Sequence, residues 1–314
     1  MHFIGPVVGL SWVREGEMRP FHAQVVVAVG FVRVNYGNAF IIDMRAKTGI
    51  GKLAVALVVA MVVAQAVACA AITPKGTQCK RAPSPGFDNL DYGAPCAADQ
   101  IVNRMGYALG YSKKHKQPLW VAYRLTADEV TNAVVCRATN YLFDESIVGG
   151  TATLEDFRGS GYGWGHLAPA ADMRWNAQAM EDSFLFSNIS PQASAFNGGI
   201  WKRLEKWVRD LAVRRGAVFV ITGPVFPKDE KHETIGASKV TVPKSFYKVV
   251  LDERPPMRMI GFVMPNKLNR DDIREFAVSV DEVEKATGLD FFSALPKDVQ
   301  EKLESDCDIR PWDK

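Results

Sequence analysis

The run Gly159-Ser-Gly-Tyr-Gly-Trp-Gly-His166-Leu-Ala-Pro-Ala-Ala-Asp-Met173 constrains this chain more than any other stretch. Glycine at every second position from Gly159 to Gly165 gives an approach with no preference for a helix interior. That approach ends on a lone histidine, His166. Two neighbouring stretches belong with it: Ser187-Asn-Ile-Ser-Pro-Gln192 and Asn197-Gly-Gly-Ile-Trp201. The second opens an amphipathic segment carrying Glu205 and Arg209.

The remaining pattern is mixed. Residues 107–111 read as a short strand and Leu119–Leu125 as a strong one, joined by the polar connector Lys113–Pro118 into an antiparallel hairpin. His115, among lysines, reads as solvated. Thr126–Val130 is a turn or short helix, and residues 137–158 are a long surface loop, which in a compact domain carries function or packs on something. Asn176–Asp182 should be helical and Ser183–Ser187 a short apolar strand. Trp201–Arg215 is the best helix, with Ile200, Leu204, Val208 and Leu211 as a core stripe and Gly216 as its stop. Ala217–Gly223 is a buried strand. Further strands lie near 240–242, 247–251, 257–264 and 276–280. Val280–Gly288 reads as a helix capped by Asp281, and Pro296–Ser305 as a last one. Strands and helices mix without a βαβ rhythm, so the expected class is α+β, one sheet with helices on its faces.

Charged residues make up 23% of the 314 and hydrophobic ones 47%, an ordinary globular balance without a disorder signature. The net charge of +3 does not by itself imply nucleic acid. Met44–Lys52 is short and basic, Leu53–Val63 is unbroken and apolar, and Ala68-Cys-Ala70 is a small-x-small cleavage site: the parts of a secretory signal peptide. The chain then divides into 1–43, an extension without a role in the mature fold; 44–70, the signal; 71–90, an exposed lead-in; and 91–308, the functional domain. The expected destination is secreted or periplasmic, with no stable membrane association after cleavage. The alternative is a membrane anchor formed by residues 53–71, with lipid attachment at Cys69 a lesser option. Cys79, Cys96, Cys136 and Cys307 remain after cleavage, an even number that an oxidising compartment would pair as disulfides in one of three ways, or leave as free thiols. No two stand at zinc-knuckle spacing.

The candidate chemistry rests on His166, whose imidazole is suited to taking a proton from water near neutral pH. The plainer reading is a core histidine bonded to a backbone carbonyl. Asn188 and Asn197 argue for the base, because core packing alone would prefer apolar residues there. An asparagine oxygen suits a hard cation such as Mg²⁺, which takes few protein ligands. Glu205 could hold a metal-bound water and Arg209 could fork onto a phosphate. Alternatively the two form an i,i+4 ion pair, worth roughly 0.2–0.5 kcal/mol. Basic residues at 202, 203, 206, 209, 214 and 215, with Arg158 and Arg174 beside the histidine, form a rim fit for a polyanion, or a solvated helix face.

On these residues the segment from Tyr107 to about Ser305 resembles the DNA/RNA non-specific endonucleases of the ββα-metal superfamily. The resemblance is carried by Leu119-Trp-Val-Ala-Tyr123, Gly161–Met173, Phe184–Gln192, Phe196–Trp201, Leu204-Glu205, Thr222-Gly-Pro224, Val242–Lys248, Phe262–Asn266 and Val280–Asp290. It implies a ββα-metal (His-Me finger) fold with a mostly antiparallel central sheet flanked by helices. It implies His166 as general base, Asn197 as direct ligand of a largely hydrated Mg²⁺ (Mn²⁺ as a substitute), and Glu205 as organiser of that water shell. Arg209 would contact phosphate and Asn188 would support, with Arg137 as an assisting arginine. The implied partners are DNA and RNA as substrates; a homodimer is left open.

The family signature reads Asp-Arg-Gly-His, and this chain has Gly163-Trp164-Gly165-His166. Losing an optimised transition-state contact can cost on the order of 10²–10³ in rate. The leading expectation is a Mg²⁺-dependent, sugar-non-specific endonuclease with reduced activity. The alternatives are a nucleic-acid-binding protein on the same fold, with catalysis lost at Gly163 and Trp164, and a processing enzyme of narrower substrate.

Overall fold

The computed structural model describes residues 22–27, 30–35, 41–46, 88–227 and 231–313. Two compact units, Met1–Arg81 and Ala82–Lys314, are taken separately. In the first, β1 (His22–Val27), β2 (Gly30–Asn35) and β3 (Ile41–Ala46) form an antiparallel sheet. The sequence reading of residues 1–43 does not include these strands. The apolar run 53–71, Cys79 and nearly all of the 44–70 and 71–90 segments lie outside the described residues. Among the described residues no helix is long and apolar enough to cross a membrane.

The second unit adds β4 (Gln100–Asn103), β5 (Ala108–Ser112), β6 (Gln117–Thr126), β7 (Gly163–His166), β8 (Ile189–Gln192), β9 (Ala217–Val225), β10 (Thr234–Ile235), β11 (Val240–Thr241), β12 (Ser245–Asp252), β13 (Arg258–Pro265) and β14 (Ala277–Val278). Seven of them make one sheet in the order β14-β13-β12-β9-β6-β5-β4, with every pairing antiparallel. The α+β expectation therefore holds.

Side chains alternate across this sheet, as a period of two requires. On one face Val121, Tyr123, Val220, Phe246 and Val250 pack with Leu204, Val208 and Leu211 of helix Lys202–Arg215. On the other, Trp120, Ala122, Phe219, Tyr247 and Val249 pack with Val280 and Val283 of helix Val280–Thr287. The central strands are buried on both faces and read as near-continuous apolar runs. Gly216, at φ +83°, ends the long helix where an L side chain would be strained.

Several local expectations change. Residues 183–187 are not a strand: helix Ala177–Ser183, N-capped by Asn176, runs into a 3₁₀ turn at Phe186–Asn188, and the strand follows as β8. The cap of helix Val280–Thr287 is Ser279, in a capping box with Glu282, and not Asp281. His115 is buried. It stacks on Phe226 at 4.0 Å between ring centroids and its Nδ1 lies 3.1 Å from Thr241 Oγ1. Burial pulls its pKa down to about 4. The packed unit also reaches beyond 91–308, with Asn89 bonded to Asn103 and Trp312 buried against Trp207.

Candidate active site

His166 ends β7, which pairs with β8 through His166↔Ile189 and Gly163↔Gln192. Three polar side chains fix this ribbon. Gln117, fully buried on β6, accepts from Ser190 Oγ and donates to Thr241 O. Asn188 accepts from Ala168 N (2.9 Å) and donates to Ala168 O (2.9 Å) and Ser183 O (2.8 Å), which fastens the chain just past His166. Asn266 donates to Pro191 O and Pro243 O and accepts from Ala193 N, which joins the end of β8 to the next helical turn. Gly165 is dictated by packing: a Cβ there would stand 2.1 Å from the buried Gln192 side chain. The ribbon thus forms with Gly163 and Trp164 in place of the family's Asp-Arg.

His166 is 7% exposed, and its Nε2 has no hydrogen-bond partner among the described residues. It sits edge-on to Phe184 at 4.7 Å and 5.5 Å from the Tyr141 ring. Burial first, and Arg137 second, lower its pKa to about 3, so the imidazole is neutral with a free nitrogen lone pair to offer. The 137–158 loop brings Arg137 and Tyr141 there. It is anchored by Asp144, which accepts from Arg104 and Ser187, and by the bridge Leu142↔Leu185. Arg137 is exposed, with its guanidinium 5.2 Å from the Phe184 ring centroid. Its charge acts on both His166 and Glu205, which ties the ribbon to the helix. Trp164 is 41% exposed.

After β8 a short turn leads to Asn197, half-buried at the head of the π-type turn Asn197–Trp201. Gly199 leaves helical geometry (φ −103°, ψ −112°), and helix Lys202–Arg215 then carries Glu205 one turn in. The Glu205 residue keeps some exposure, but desolvation dominates at its carboxylate and raises its pKa. Asp172 adds to the rise, while Lys248, Arg209 and Arg137 oppose it. Neither the Asn197 amide nor the Glu205 carboxylate has a side-chain hydrogen bond among the described residues. An unengaged amide oxygen and a desolvated carboxylate suit a hard, hydrated divalent ion.

Arg209 does not pair with Glu205. Its Nη1 lies 2.7 Å from Oδ1 of Asp172, a fully buried carboxylate that also accepts from Tyr123 at 3.0 Å. Burial pushes the Asp172 carboxyl up even with Arg209 alongside. Lys248, on β12, was not singled out by the sequence reading. It is fully buried, its Nζ has no hydrogen-bond partner, and it lies 4.8 Å over the Trp201 ring. Burial lowers its pKa, while Glu205 and Asp172 hold it charged. A lysine between Tyr247 and Val249 in an apolar strand was the available signal.

Of the basic rim residues, Lys206, Arg209, Arg215 and Arg158 each face a carboxylate, and the arginines on carbonyls keep their charge. Lys206 pairs with Asp210, Arg215 with Asp252, and Arg158 with Glu155, while Arg203, Arg214 and Arg174 bond to backbone carbonyls.

A two-stranded ribbon ending on His166, followed in the chain by a helix opened by Asn197, puts this fold in the ββα-metal class of nucleases. The family model for DNA/RNA non-specific endonucleases matches residues 86–298. The chain belongs to that family. It is 33% identical to Nuclease EXOG, mitochondrial, of Xenopus laevis, over 70% of this chain and 65% of the frog protein, just under two thirds of the latter's length. It is 36% identical to human Endonuclease G, mitochondrial, over 64% of this chain and 71% of that one. In a crystal structure of the EndoG/EndoGI complex, one chain is 34% identical with a TM-score of 0.64, covering 69% of this chain and 95% of its own.

These relatives correct two expectations. Both curated proteins are mitochondrial, which overturns the reading of a signal peptide and a secreted or periplasmic destination; the comparisons point to mitochondria. Disulfides lose support as well: Cys96, Cys136 and Cys307 are free thiols, and Cys79 lies outside the described residues.

Proposed function

We propose that the chain is a metal-dependent, sugar-non-specific endonuclease that hydrolyses phosphodiester bonds of DNA and RNA inside mitochondria. The observation that carries this reading is the buried, neutral His166 with an unpartnered Nε2, on a ribbon that runs directly into Asn197 and Glu205. His166 accepts a proton from the attacking water as its oxygen bonds to phosphorus; the old P–O bond breaks, and the leaving oxygen takes a proton from solvent, giving a phosphomonoester and an alcohol. A bound phosphate's negative charge counters Arg137 and raises the imidazole's basicity when it is needed. Asn197 would ligate a Mg²⁺ ion, with Mn²⁺ as a substitute, and Glu205 would orient its water shell; the ion would stabilise charge developing on phosphate and leaving oxygen. Arg137 supplies a cation facing the site, whereas Arg209 holds Asp172 and so keeps the floor of the site rigid. The Asn188 bonds hold His166 in register. Self-association is a separate part of the proposal: light scattering at twice the chain mass supports it, and the chain mass alone removes it.

The test uses supercoiled plasmid and a structured RNA, each with Mg²⁺ or with EDTA. Cleavage of both with Mg²⁺ and neither with EDTA is expected. Tight, salt-sensitive binding without any cleavage would replace this reading with the binding protein.

A further inference from the structure

In place of the family's arginine, Trp164 stands two residues before His166 on β7. Residues i and i+2 of a strand share a face, about 7 Å apart. Trp164 therefore faces the same side as the proposed base, one nucleotide's reach along the ribbon. Its ring lies 5.1 Å from Tyr141 at 43°, and Tyr141 in turn lies 5.5 Å from His166. Trp164 is thus the outer, 41% exposed member of an aromatic series that ends on the catalytic imidazole. Gly159 and Gly161, on the lead-in to β7, have nothing within 4 Å of where a Cβ would stand. Arg137, exposed and engaged with Tyr141, brings a cation to the same spot.

From this geometry we infer that Trp164 and Tyr141 form a stacking subsite for an unpaired nucleobase next to the scissile phosphate, which biases the site toward single-stranded nucleic acid. The inference rests on the nuclease reading for the position of the phosphate. A flat, open ring beside a cation matches the base and phosphate of one nucleotide, and stacking on aromatics tolerates any sequence. In a duplex the neighbouring base is already stacked and paired, so Trp164 gains little from it. The exchange of arginine for tryptophan then trades a charge that serves every substrate for a ring that favours unstacked ones.

The experiment measures binding of the full chain, in EDTA, to a single-stranded oligonucleotide and to its duplex, each carrying 2-aminopurine at the central position. Wild type should quench the single strand's fluorescence on binding. Trp164→Ala should bind the single strand about tenfold more weakly and lose the quenching, with less than about twofold change on the duplex. Trp164→Phe should keep most of both. Equal weakening on both substrates, or none, overturns the inference. Because the assay needs no cleavage, Trp164-dependent quenching in a protein that cuts nothing would sink the nuclease reading and leave the subsite standing.

Discussion

At the scale of single residues, the site depends on two buried charges and one buried neutral base. His166 has a folded pKa of about 3 against an ordinary 6.5. The unfolded chain takes up a proton below 6.5 and the folded chain does not, so stability is full above pH 6.5 and falls as pH drops toward 3. At pH 5 the loss from this group is about 2 kcal/mol. Urea unfolding at pH 7 and pH 5 should show His166→Asn losing that much less than wild type; equal losses would mean that the histidine is not buried neutral. Arg209, which the family resemblance makes a phosphate contact, pairs with Asp172, a fully buried carboxylate 2.7 Å away. Removing one partner of a buried pair is costly, so Arg209→Ala should destabilise by about 3 kcal/mol in chemical denaturation. A change under 0.5 kcal/mol would return Arg209 to the surface role. As candidates, His166 was legible at the end of its glycine-rich approach, Asn188 and Asn197 because core packing would prefer apolar residues there, and Glu205 from its place on the amphipathic helix and the family resemblance. Asp172, Tyr123 and Lys248 were not, because they sit far apart in sequence and only the sheet face brings them together.

At the scale of elements, the β7–β8 ribbon explains how the histidine is presented without the Asp-Arg of the signature. Gln117, Asn188 and Asn266 supply the bonds, and Gly165 leaves room for Gln192. Gly165→Ala should push Gln192 out of place, costing about 1–3 kcal/mol of stability and lowering cleavage in proportion to the displaced His166. Unchanged melting and activity would show that the ribbon has slack. The long helix and the central sheet strands were readable from apolar periodicity, whereas the edge strand β4 and the short helix Leu154–Phe157, inside the expected loop, were not. The ribbon was not, since its strands are four residues each, β7 with two glycines and β8 with a proline, and the strand expected at 183–187 fell short of β8 at Ile189–Gln192. The solvated reading of His115 fails for a related reason: Lys113 and Lys114 before it are exposed, but its own ring stacks on Phe226.

At the scale of the whole molecule, the sheet supplies a buried cation to a site assembled on its face. Lys248 projects from β12 toward the helix that carries Glu205 and lowers the carboxyl's pKa against the rise from burial. Lys248→Met removes that opposing charge, so Glu205 should hold its proton to a higher pH. The acid limb of the kcat/KM profile should then move upward in pH relative to wild type. A limb that stays put would disconnect Lys248 from the site. A basic and apolar leader followed by an even cysteine count suggests export, whereas the curated relatives named above are mitochondrial proteins.

The central claim is that His166 is the base. The most direct measurement is the initial rate of plasmid nicking by wild type and His166→Ala at saturating Mg²⁺, without and with added imidazole. The variant should be slower by on the order of 10²–10⁴-fold, with part of the rate returning as imidazole rises. A variant that nicks as fast as wild type would contradict the account.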